Sequence, residues 1–304
     1  MSKSLKSDLL LLAITMCWGF SYLFMDRCLE DMGTFTLNTY RFLGAFAVAF
    51  ALSFKRLLHV NRITIKYAAL LGVALLGVYT FVSYGIQFTT LSNSGFLCAL
   101  AVVFVPIFKS IRSKTLPSFK FVLVVVICVI GIAFLTLADD FTINRETLKG
   151  DILCILCSVA YALHIIITES ALTHEDVDAY QLGVYQLGFM GLLCLILAFT
   201  IETPTLPSTP AVWGQTVMLA VLCTGVAFII QTIAQRNASA TRVGVIFCME
   251  PVFAGLVAYF FAGETLSVKS YIGAALIIAA ILIMEIDFKK KHAAKELDEH
   301  EEHA

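Results

Sequence analysis

The chain has 304 residues, of which 59% are hydrophobic and 14% are charged, and its formal net charge at pH 7 is −1. Soluble proteins carry about 25% charged residues, because their surfaces face water. The composition therefore excludes a soluble enzyme, a disordered chain and a nucleic-acid-binding protein, and it predicts a polytopic membrane protein.

Apolar segments long enough to cross a bilayer recur along the whole chain. A membrane-spanning helix needs about 20 mostly apolar residues, whereas strands of a membrane β-barrel alternate apolar and polar residues over segments of about ten. Residues 121–132 are apolar without alternation, so the sequence predicts helices. The ten predicted spans are residues 9–25, 35–54, 67–88, 94–111, 121–138, 151–168, 180–200, 211–233, 243–262 and 270–286.

The basic residues predict the orientation of these helices. If the N-terminus lies in the cytoplasm, 16 Lys and Arg residues fall in inner segments and 4 in outer segments, while Arg41 falls inside a span. Cytoplasmic segments carry the excess of Lys and Arg in membrane proteins. We therefore expect a multi-pass protein of the inner or plasma membrane with both termini in the cytoplasm.

The chain also repeats itself. Four short matches recur in the same order, at separations of 143 to 148 residues. They pair Asp8 and Trp18 with Asp151 and Tyr161, Leu37 and Tyr40 with Leu182 and Tyr185, Gly77 and Gln87 with Gly225 and Gln235, and Pro106 with Pro251. The matches divide the ten predicted spans into two halves of five helices each. Because five is an odd number, the second half would enter the membrane from the opposite side.

The predicted fold is an all-α integral membrane protein with ten transmembrane helices in two inverted five-helix repeats. Residues 1–149 form the first repeat, residues 150–288 form the second, and residues 289–304 form a cytoplasmic tail. Two similar units of opposite orientation can each adopt the other's conformation, which is useful for transport around a central site. We expect a secondary active or facilitative transporter. A membrane sensor or scaffold without transport and, less favoured, a lipid-modifying membrane enzyme remain alternatives.

Several motifs resemble those of the EamA-type transporters of the drug/metabolite transporter superfamily. Trp18-Gly19-Phe20-Ser21-Tyr22 is similar to their opening motif, and Asn93-Ser-Gly95-Phe96 with the segment around Pro106 is similar to their fourth helix. The most specific segments are Thr241-Arg242, Glu250-Pro251-Val252-Phe253-Ala254, Gly263-Glu264-Thr265-Leu266 and Gly273-Ala274. The resemblance covers both halves. It implies ten helices, cytoplasmic termini and transport, often export, of a small metabolite such as an amino acid.

The sixth predicted helix departs from the family pattern. It carries Tyr161 and His164 where an aromatic-rich start is expected, and the connection that follows at residues 169–178 is acidic. Both features differ from the family pattern and concern how transport of the solute is coupled to an ion.

Arg41 is the first candidate for the solute site, because a charge inside a span is costly and rare. It either binds a carboxylate of the solute or extends its long side chain to the headgroups. Its counterpart in the second half, Gln186, is also polar, which favours a position facing the protein interior. We predict that Arg41 and Trp18 bind a zwitterionic or anionic solute.

Two more ionisable residues lie inside predicted spans. Glu250 directly precedes Pro251, and it either takes up a proton or accepts hydrogen bonds as a structural group. Its counterpart at a separation of 145 residues, Val105, is apolar. His164 titrates near neutral pH and is either a proton relay or a packing residue. Glu250 and His164 are the candidates for proton coupling, with the proton as the candidate co-transported ion.

Aromatic and amide side chains complete the predicted cavity. Aromatic walls suit ring-bearing or amphipathic ligands, although such residues also pack or form interfacial belts. Trp18 lies mid-helix, too deep for a belt. The predicted substrate-binding residues are Trp18, Tyr22, Arg41, Tyr84, Gln87, His164, Tyr185, Gln186 and Gln231.

Other features predict structure rather than chemistry. The nine cysteines read as small packing residues, and the chain has no phosphate-binding loop motif. We expect no enzyme activity, no metal and no cofactor. Ala254, Ala258 and Ala262 recur every four residues and predict a close helix contact, within the fold or between two protomers of a homodimer. Glu264 reads as a capping or pairing residue.

Overall fold

The computed structural model describes residues 3–116, 118–136, 145–263, 265, 267–280 and 283, and these residues contain helices and no strand. Glu264 and the tail at 289–304 lie outside them. The helices are α1 (Lys3–Leu29), α2 (Thr34–Leu52), α3 (Phe54–Leu57), α4 (Arg62–Gly85), α5 (Leu91–Cys98), α6 (Ala101–Ser113), α7 (Phe119–Thr136), α8 (Leu148–Leu172), α9 (Ala179–Ile201), α10 (Pro210–Met218), α11 (Ala227–Gln235), α12 (Ala240–Phe247), α13 (Glu250–Val257) and α14 (Val268–Ala280). Two π-helical segments, π1 (Leu219–Val226) and π2 (Ala258–Ala262), follow α10 and α13.

Eight of the ten predicted spans coincide with helices that are long and apolar enough to cross a membrane. These are Leu5–Leu29, Thr34–Leu52, Arg62–Gly85, Asn93–Ser113, Leu148–Leu172, Ala179–Ile201, Pro210–Gln235 and Ala240–Ala262. The spans predicted at 121–138 and 270–286 coincide with α7, which contains the apolar stretch Val122–Gly131, and with α14, Val268–Ala280. The prediction of an all-helical membrane protein is confirmed, and the count of ten spans stays a prediction.

Short polar side chains fix where several of these helices begin. Asn61, Asp178 and Thr209 each precede a helix, and each side chain accepts a hydrogen bond from a backbone N–H of the first turn. Such caps satisfy backbone donors that have no partner within the helix. Each of these caps marks where a new helix begins.

Two predicted spans are broken near their middle. The fourth divides into α5 and α6 at Ala99–Leu100, and the ninth divides into α12 and α13 at Cys248–Met249. Both start in the same way, because Thr90 and Ser239 cap α5 and α12 by accepting from the backbone N–H three residues on. The α5 and α12 boundaries differ by the same 149 residues at both ends.

The contact between these two broken helices is reciprocal. A Cβ built on Gly95 would lie 2.8 Å from the Ala254 Cβ, and a Cβ built on Gly244 would lie 3.5 Å from the Val102 Cα. The next neighbour of a Cβ on Gly95 would be Pro251, and the next neighbour of a Cβ on Gly244 would be Val105. At a separation of 149 residues each partner in one contact corresponds to a partner in the other. The residue pairing is the same in both contacts, although only at Gly95 would a Cβ be too close to its neighbour, whereas at Gly244 it would make an ordinary van der Waals contact.

Tyrosine hydroxyls make a second reciprocal pair of contacts. The Tyr40 Oη donates to the Thr205 carbonyl at 3.1 Å, and the Tyr185 Oη donates to the Leu57 carbonyl at 2.5 Å. Tyr40 and Tyr185 correspond at a separation of 145 residues. Tyr40 of α2 thus contacts the connection that follows α9, and Tyr185 of α9 contacts the segment that follows α2.

The helices of the N-terminal part, α1–α7, pack mainly on those of the C-terminal part, α8–α14. Helix α4 packs against α8 and α9, α2 against α9 and π1, and α1 against α13 and α11. Backbones approach closely at small residues: a Cβ on Gly72 would lie 2.7 Å from the Phe189 Cβ. The buried core thus lies between the two parts of the chain, where a central site would be expected.

Candidate functional site

A narrow cavity lies at this interface and encloses about 460 Å³, counting the open space at its mouth. Its residues on α1 and α4 fall in the second half of each helix, so the cavity is displaced away from the end at which α1 begins, called here the N-terminal end. The lining residues are Trp18, Ser21, Tyr22, Met25, Val78, Tyr79, Val82, Cys98, Cys157, Tyr161, Phe228 and Glu250.

Aromatic rings close the cavity on its N-terminal side. The Trp18 ring centroid lies 5.0 Å from that of Phe247, 5.5 Å from that of Phe228 and 6.0 Å from that of Tyr161. The Trp18 Nε1 donates to the Cys223 carbonyl at 2.9 Å. Because its hydrogen bond is satisfied and its ring is packed on three sides, Trp18 presents a rigid apolar surface to the cavity.

Arg41 lies directly behind the cavity wall and is fully buried. Its Nη1 donates to the Met25 Sδ at 2.9 Å, and its Nη2 donates to the Ser21 Oγ at 3.1 Å and to the Tyr79 Oη at 3.3 Å. The guanidinium carbon lies 4.5 Å from the centre of the Tyr79 ring. These three partners all line the cavity, so Arg41 holds its wall together from behind.

The π1 segment supplies the remaining partners of Arg41. The Thr224 hydroxyl accepts from the Arg41 Nε, and the Cys223 carbonyl accepts from the Nη2 at 3.5 Å. π-helical turns are wider than α-helical turns and are frequent at functional sites. The Cys223 carbonyl therefore accepts hydrogen bonds from both Trp18 and Arg41, so π1 contacts both of these predicted site residues.

No carboxylate of the described residues lies within 4.0 Å of the Arg41 guanidinium. Its partners are neutral oxygens, a thioether and an aromatic ring. A buried cation without a counter-charge is expensive, which makes Arg41 a source of positive potential at the cavity.

Glu250 faces the same cavity from its other side. It is the first residue of α13, at the break in the ninth span, and its Oε1 accepts from the Tyr22 Oη at 2.9 Å. A helix N-terminus favours a negative charge. Glu250 stays partly accessible because it borders the cavity, so it can reach a solute or a water there.

His164 and Gln186 form a buried chain behind Tyr161. The His164 Nε2 lies 2.8 Å from the Gln186 Oε1, the Gln186 Nε2 donates to the Thr232 Oγ1 at 3.1 Å, and Thr232 donates to the Phe228 carbonyl at 2.8 Å. The Phe228 carbonyl only accepts, so Thr232 donates to it and accepts from the Gln186 Nε2. The Gln186 Oε1 is then the acceptor for His164, which places the proton on the His164 Nε2. The His164 Nδ1 has no hydrogen-bond partner among the described residues.

Gln231 belongs to a second chain that leads towards the N-terminal end. The Tyr161 Oη lies 3.4 Å from the Gln231 Oε1, the Gln231 Nε2 donates to the Gln235 Oε1 at 3.1 Å, and Gln235 donates to the Ile165 carbonyl at 3.3 Å. Polar side chains thus continue beyond the aromatic floor of the cavity.

Of the predicted substrate-binding set, Trp18 and Tyr22 line the cavity, Arg41, His164, Gln186 and Gln231 lie behind its walls, and the remaining three lie further away. Tyr84 packs edge-on against Phe35 with ring centroids 6.2 Å apart, and the Gln87 Nε2 donates to the Ser83 carbonyl at 2.8 Å, both at the end opposite the N-terminus. Tyr185 lies at the N-terminal end on the Leu57 carbonyl. In this conformation these three do not share a surface with Trp18.

The structure also brings in residues that sequence reasoning missed. Ser21 and Tyr79 contact Arg41 from α1 and α4, and Thr224 contacts it from π1. One signal was present: Tyr79, Ser83 and Gln87 are polar and recur every four residues, a spacing that places them on one face of a helix. Among the described residues, no cluster of three or more His, Cys, Asp or Glu side chains is arranged to hold a metal ion.

Carboxylates join the two parts of the chain at both ends of the bundle. At the N-terminal end the contacts are ion pairs, Arg242–Asp8 at 2.5 Å, Arg56–Asp178 at 2.8 Å and Lys109–Glu169 at 2.9 Å. At the opposite end the partners are neutral: Asp151 accepts from Thr89 at 2.7 Å, Glu202 accepts from the Thr36 backbone at 2.9 Å, and Asp31 accepts from the Ser208 backbone at 2.9 Å. The hydrogen bonds from Ser208 hold the pKa of Asp31 below its ordinary value.

The fold and the cavity define a helical membrane protein of the transporter class, and comparison with known proteins agrees. The sequence model of the EamA-like transporter family matches residues 5–137 and 148–286. This chain belongs to the EamA-like transporter family.

Individual relatives are similar to the chain over most of its length. An uncharacterized transporter of Archaeoglobus fulgidus is 28% identical over 291 residues, covering 93% of this chain and 87% of the relative. A second uncharacterized transporter of that organism is 26% identical, covering 90% and 96%. A protein of known crystal structure shares the fold with a TM-score of 0.72 at 16% identity, covering 94% of this chain and 98% of that one.

Proposed function

We propose that the protein is a secondary transporter, active or facilitative, that exports a small metabolite such as an amino acid. It works by alternating access around the cavity between its two parts. The observation that carries the proposal is this cavity, with a buried cation behind one wall and an accessible carboxylate in the other. An enzyme would need reacting groups placed against each other, whereas these groups stand on opposite sides of a space.

The proposed architecture is two inverted five-helix halves, residues 1–149 and 150–288, with the tail at 289–304 in the cytoplasm. The family match to both halves supports it. So do the reciprocal glycine contacts at a separation of 149 residues and the reciprocal tyrosine contacts at 145. The 16-to-4 distribution of basic residues supports cytoplasmic termini. A homodimer is compatible with this arrangement and is not required by it.

Alternation would proceed by exchanging the contacts at the two ends. The ion pairs at the N-terminal end and the carboxylate hydrogen bonds at the opposite end all join the two proposed halves, so each end opens only if its set breaks. Because the cavity lies nearer the opposite end, this conformation corresponds to closure on the N-terminal side.

The solute class follows from the charges beside the cavity. Arg41 favours a carboxylate, and the rings of Trp18, Tyr161 and Phe228 favour an apolar or aromatic side chain. When Glu250 is ionised, its negative charge favours an ammonium group. When it is protonated, it is a neutral acid and no longer attracts that group. A zwitterionic amino acid with an apolar side chain matches this arrangement.

Glu250 is the proposed proton-coupling residue, and His164 is the second candidate. Glu250 already accepts from Tyr22 on one oxygen, which leaves the other free to bind a proton from the cavity. Solute binding and proton binding at Glu250 would then compete for one negative charge, which couples the two.

The test uses purified protein in liposomes loaded with a mixture of radiolabelled amino acids and a pH-sensitive dye. We expect protein-dependent efflux accompanied by proton movement, loss of efflux in Arg41→Ala, and loss of the proton signal in Glu250→Gln. Arg112→Ala, at an exposed arginine, is the matched control and should transport normally. Absence of flux for every solute, in protein that melts cooperatively, would favour the sensor or scaffold class instead.

A further inference from the structure

A second, apolar groove opens on the membrane-facing surface along the C-terminal half of α2, towards the N-terminal end of the bundle. It encloses about 680 Å³, counting open space, and it lies between α2 on one side and π1 with α11 on the other. Its walls carry Ala45, Val48 and Leu52 on α2, and Gly225, Val226 and Ile229 on the facing helix. Tyr180 of α9 is the one side chain with a polar atom among its lining residues.

The groove exists because the two helices touch at one level and then diverge. A Cβ on Gly44 would lie 3.5 Å from the Ala220 Cβ, and a Cβ on Gly225 would lie 3.4 Å from the Ala45 Cβ. Helix α2 therefore packs closely on π1, whereas it makes little contact with α11 further along. Helix α9 packs against α2 and α11 and contributes Tyr180 to the lining of the groove.

The groove surface is exposed rather than covered by the fold. Val48 is 43% exposed, Val226 is 42% exposed and Leu52 is 81% exposed. From Ala45 to Leu52 the α2 wall is about 10 Å long, at about 1.5 Å of rise per residue. An elongated apolar slot of this length in a membrane-facing surface fits the upper part of one acyl chain.

Basic residues stand where both walls reach the end of the bundle. Lys55 is exposed and follows Leu52 by three residues, and Arg236 is exposed and follows Ile229 by seven, which is about two helical turns. Arg56 lies over the Tyr180 ring at 4.5 Å, but it is already paired with Asp178. Lys55 and Arg236 therefore remain to attract an anionic headgroup.

We propose that this groove binds an anionic phospholipid. One acyl chain lies between α2 and α11, and the phosphate and its anionic headgroup lie at the N-terminal end beside Lys55 and Arg236. The Tyr180 hydroxyl, held by the Ser53 Oγ at 2.5 Å, stands at the boundary between the chain and the headgroup. Aromatic residues with a polar tip favour this level of a membrane.

This site is separate from the transport cavity but shares two elements with it. The π1 segment presents Gly225 and Val226 to the groove and Cys223 and Thr224 to Arg41, and α2 carries Arg41 itself. The proposal concerns binding and does not depend on the transport function.

Native mass spectrometry of the full-length protein, with phosphatidylglycerol and phosphatidylcholine as competing probes, tests the site. We expect the wild type to retain one phosphatidylglycerol preferentially, and Val48→Trp, which fills the groove, to lose it. Lys55→Gln and Arg236→Gln should each lower retention about fivefold, since one basic residue contributes about 1 kcal/mol to attraction of an anionic lipid.

Matched controls lie elsewhere on the same surface. Val73→Trp changes an exposed valine of α4, and Lys66→Gln and Arg112→Gln remove exposed basic residues outside the groove. All three should retain lipid like the wild type. Equal retention of phosphatidylcholine, unchanged retention in Val48→Trp, or a dimer that Val48→Trp dissociates would each overturn the proposal. A melting curve for every variant confirms that it is folded.

Discussion

Replacing Arg41 with Gln separates a binding role from a structural one. The guanidinium donates to Thr224, Ser21 and Tyr79, all neutral groups. Hydrogen bonds from a charged group contribute about 1.5–3 kcal/mol each. Burial of a cation without a counter-charge costs several kcal/mol, so the two contributions are of the same order. We expect only a small change in melting temperature.

Solute affinity should respond far more strongly. Arg41 acts on the solute carboxylate through its charge, from behind the cavity wall, and loss of about 1.5–3 kcal/mol of that attraction corresponds to about a 10- to 150-fold weaker affinity. The chain has two tryptophans, Trp18 at the cavity and Trp213 on the surface, so the Trp213→Phe protein reports solute binding through Trp18 fluorescence. Amino acids and their carboxyl-amidated derivatives are the probes. We expect the amidated probe to bind the parent protein as weakly as the free acid binds Arg41→Gln.

Two results would refute this reasoning. One is a folded Arg41→Gln protein with unchanged affinity for every probe that the parent protein binds. The other is a fall in melting temperature of more than about 10 °C, corresponding to about 3 kcal/mol or more. That fall would assign Arg41 to the structure rather than to the solute.

Three further predictions concern the packing and the ends of the bundle. Gly19→Ala should lower stability by about 1–3 kcal/mol in thermal unfolding, because its Cβ would lie 2.5 Å from a side-chain atom of α13. Asp8→Asn and Arg242→Gln should each lower stability by about 1–3 kcal/mol, and the double variant should be no less stable than the worse single one. Burial raises the pKa of Asp178, but the hydrogen bonds from Arg56 and the backbone outweigh it and hold that pKa below its ordinary value. Its stabilisation is therefore present above about pH 4 and is lost as the pH falls through the lowered pKa, and Asp178→Asn should flatten this acid limb of the melting-temperature profile.

Each of these has a control in the chain. Gly214→Ala should be neutral, because a Cβ there would meet no atom within 4 Å, and equal losses at both glycines would contradict the packing argument. Additive effects of the Asp8 and Arg242 variants would mean that the two side chains act independently. Asp176→Asn, on the same connection as Asp178, should leave the acid limb unchanged, and an identical change in both would show that net charge rather than the ion pair sets the limb.

The sequence could predict the membrane class and the family, together with most of the spans. Bilayer length and the cost of charge inside it act on each segment separately, so apolar runs and the distribution of basic residues report them directly. The same local rule identified Arg41 and Glu250 as unusual residues, and the repeat identified Tyr40 with Tyr185. Local sequence did not show that the fourth and ninth spans break near Ala99 and Cys248, because an apolar run looks alike whether the helix is continuous or broken.

Only the tertiary structure decided which of these residues meet. Helices that are apolar around their whole circumference give no amphipathic pattern, so sequence alone does not fix which face points inwards. Tyr84, Gln87 and Tyr185 have the residue types expected of a solute site, yet the packing of α4 and α9 places them at the ends of the bundle. Thr224 has no distinguishing spacing, yet the π1 segment brings it to Arg41. The site depends on contacts between residues about 180 positions apart, and such contacts are formed by packing rather than by any local property of the chain.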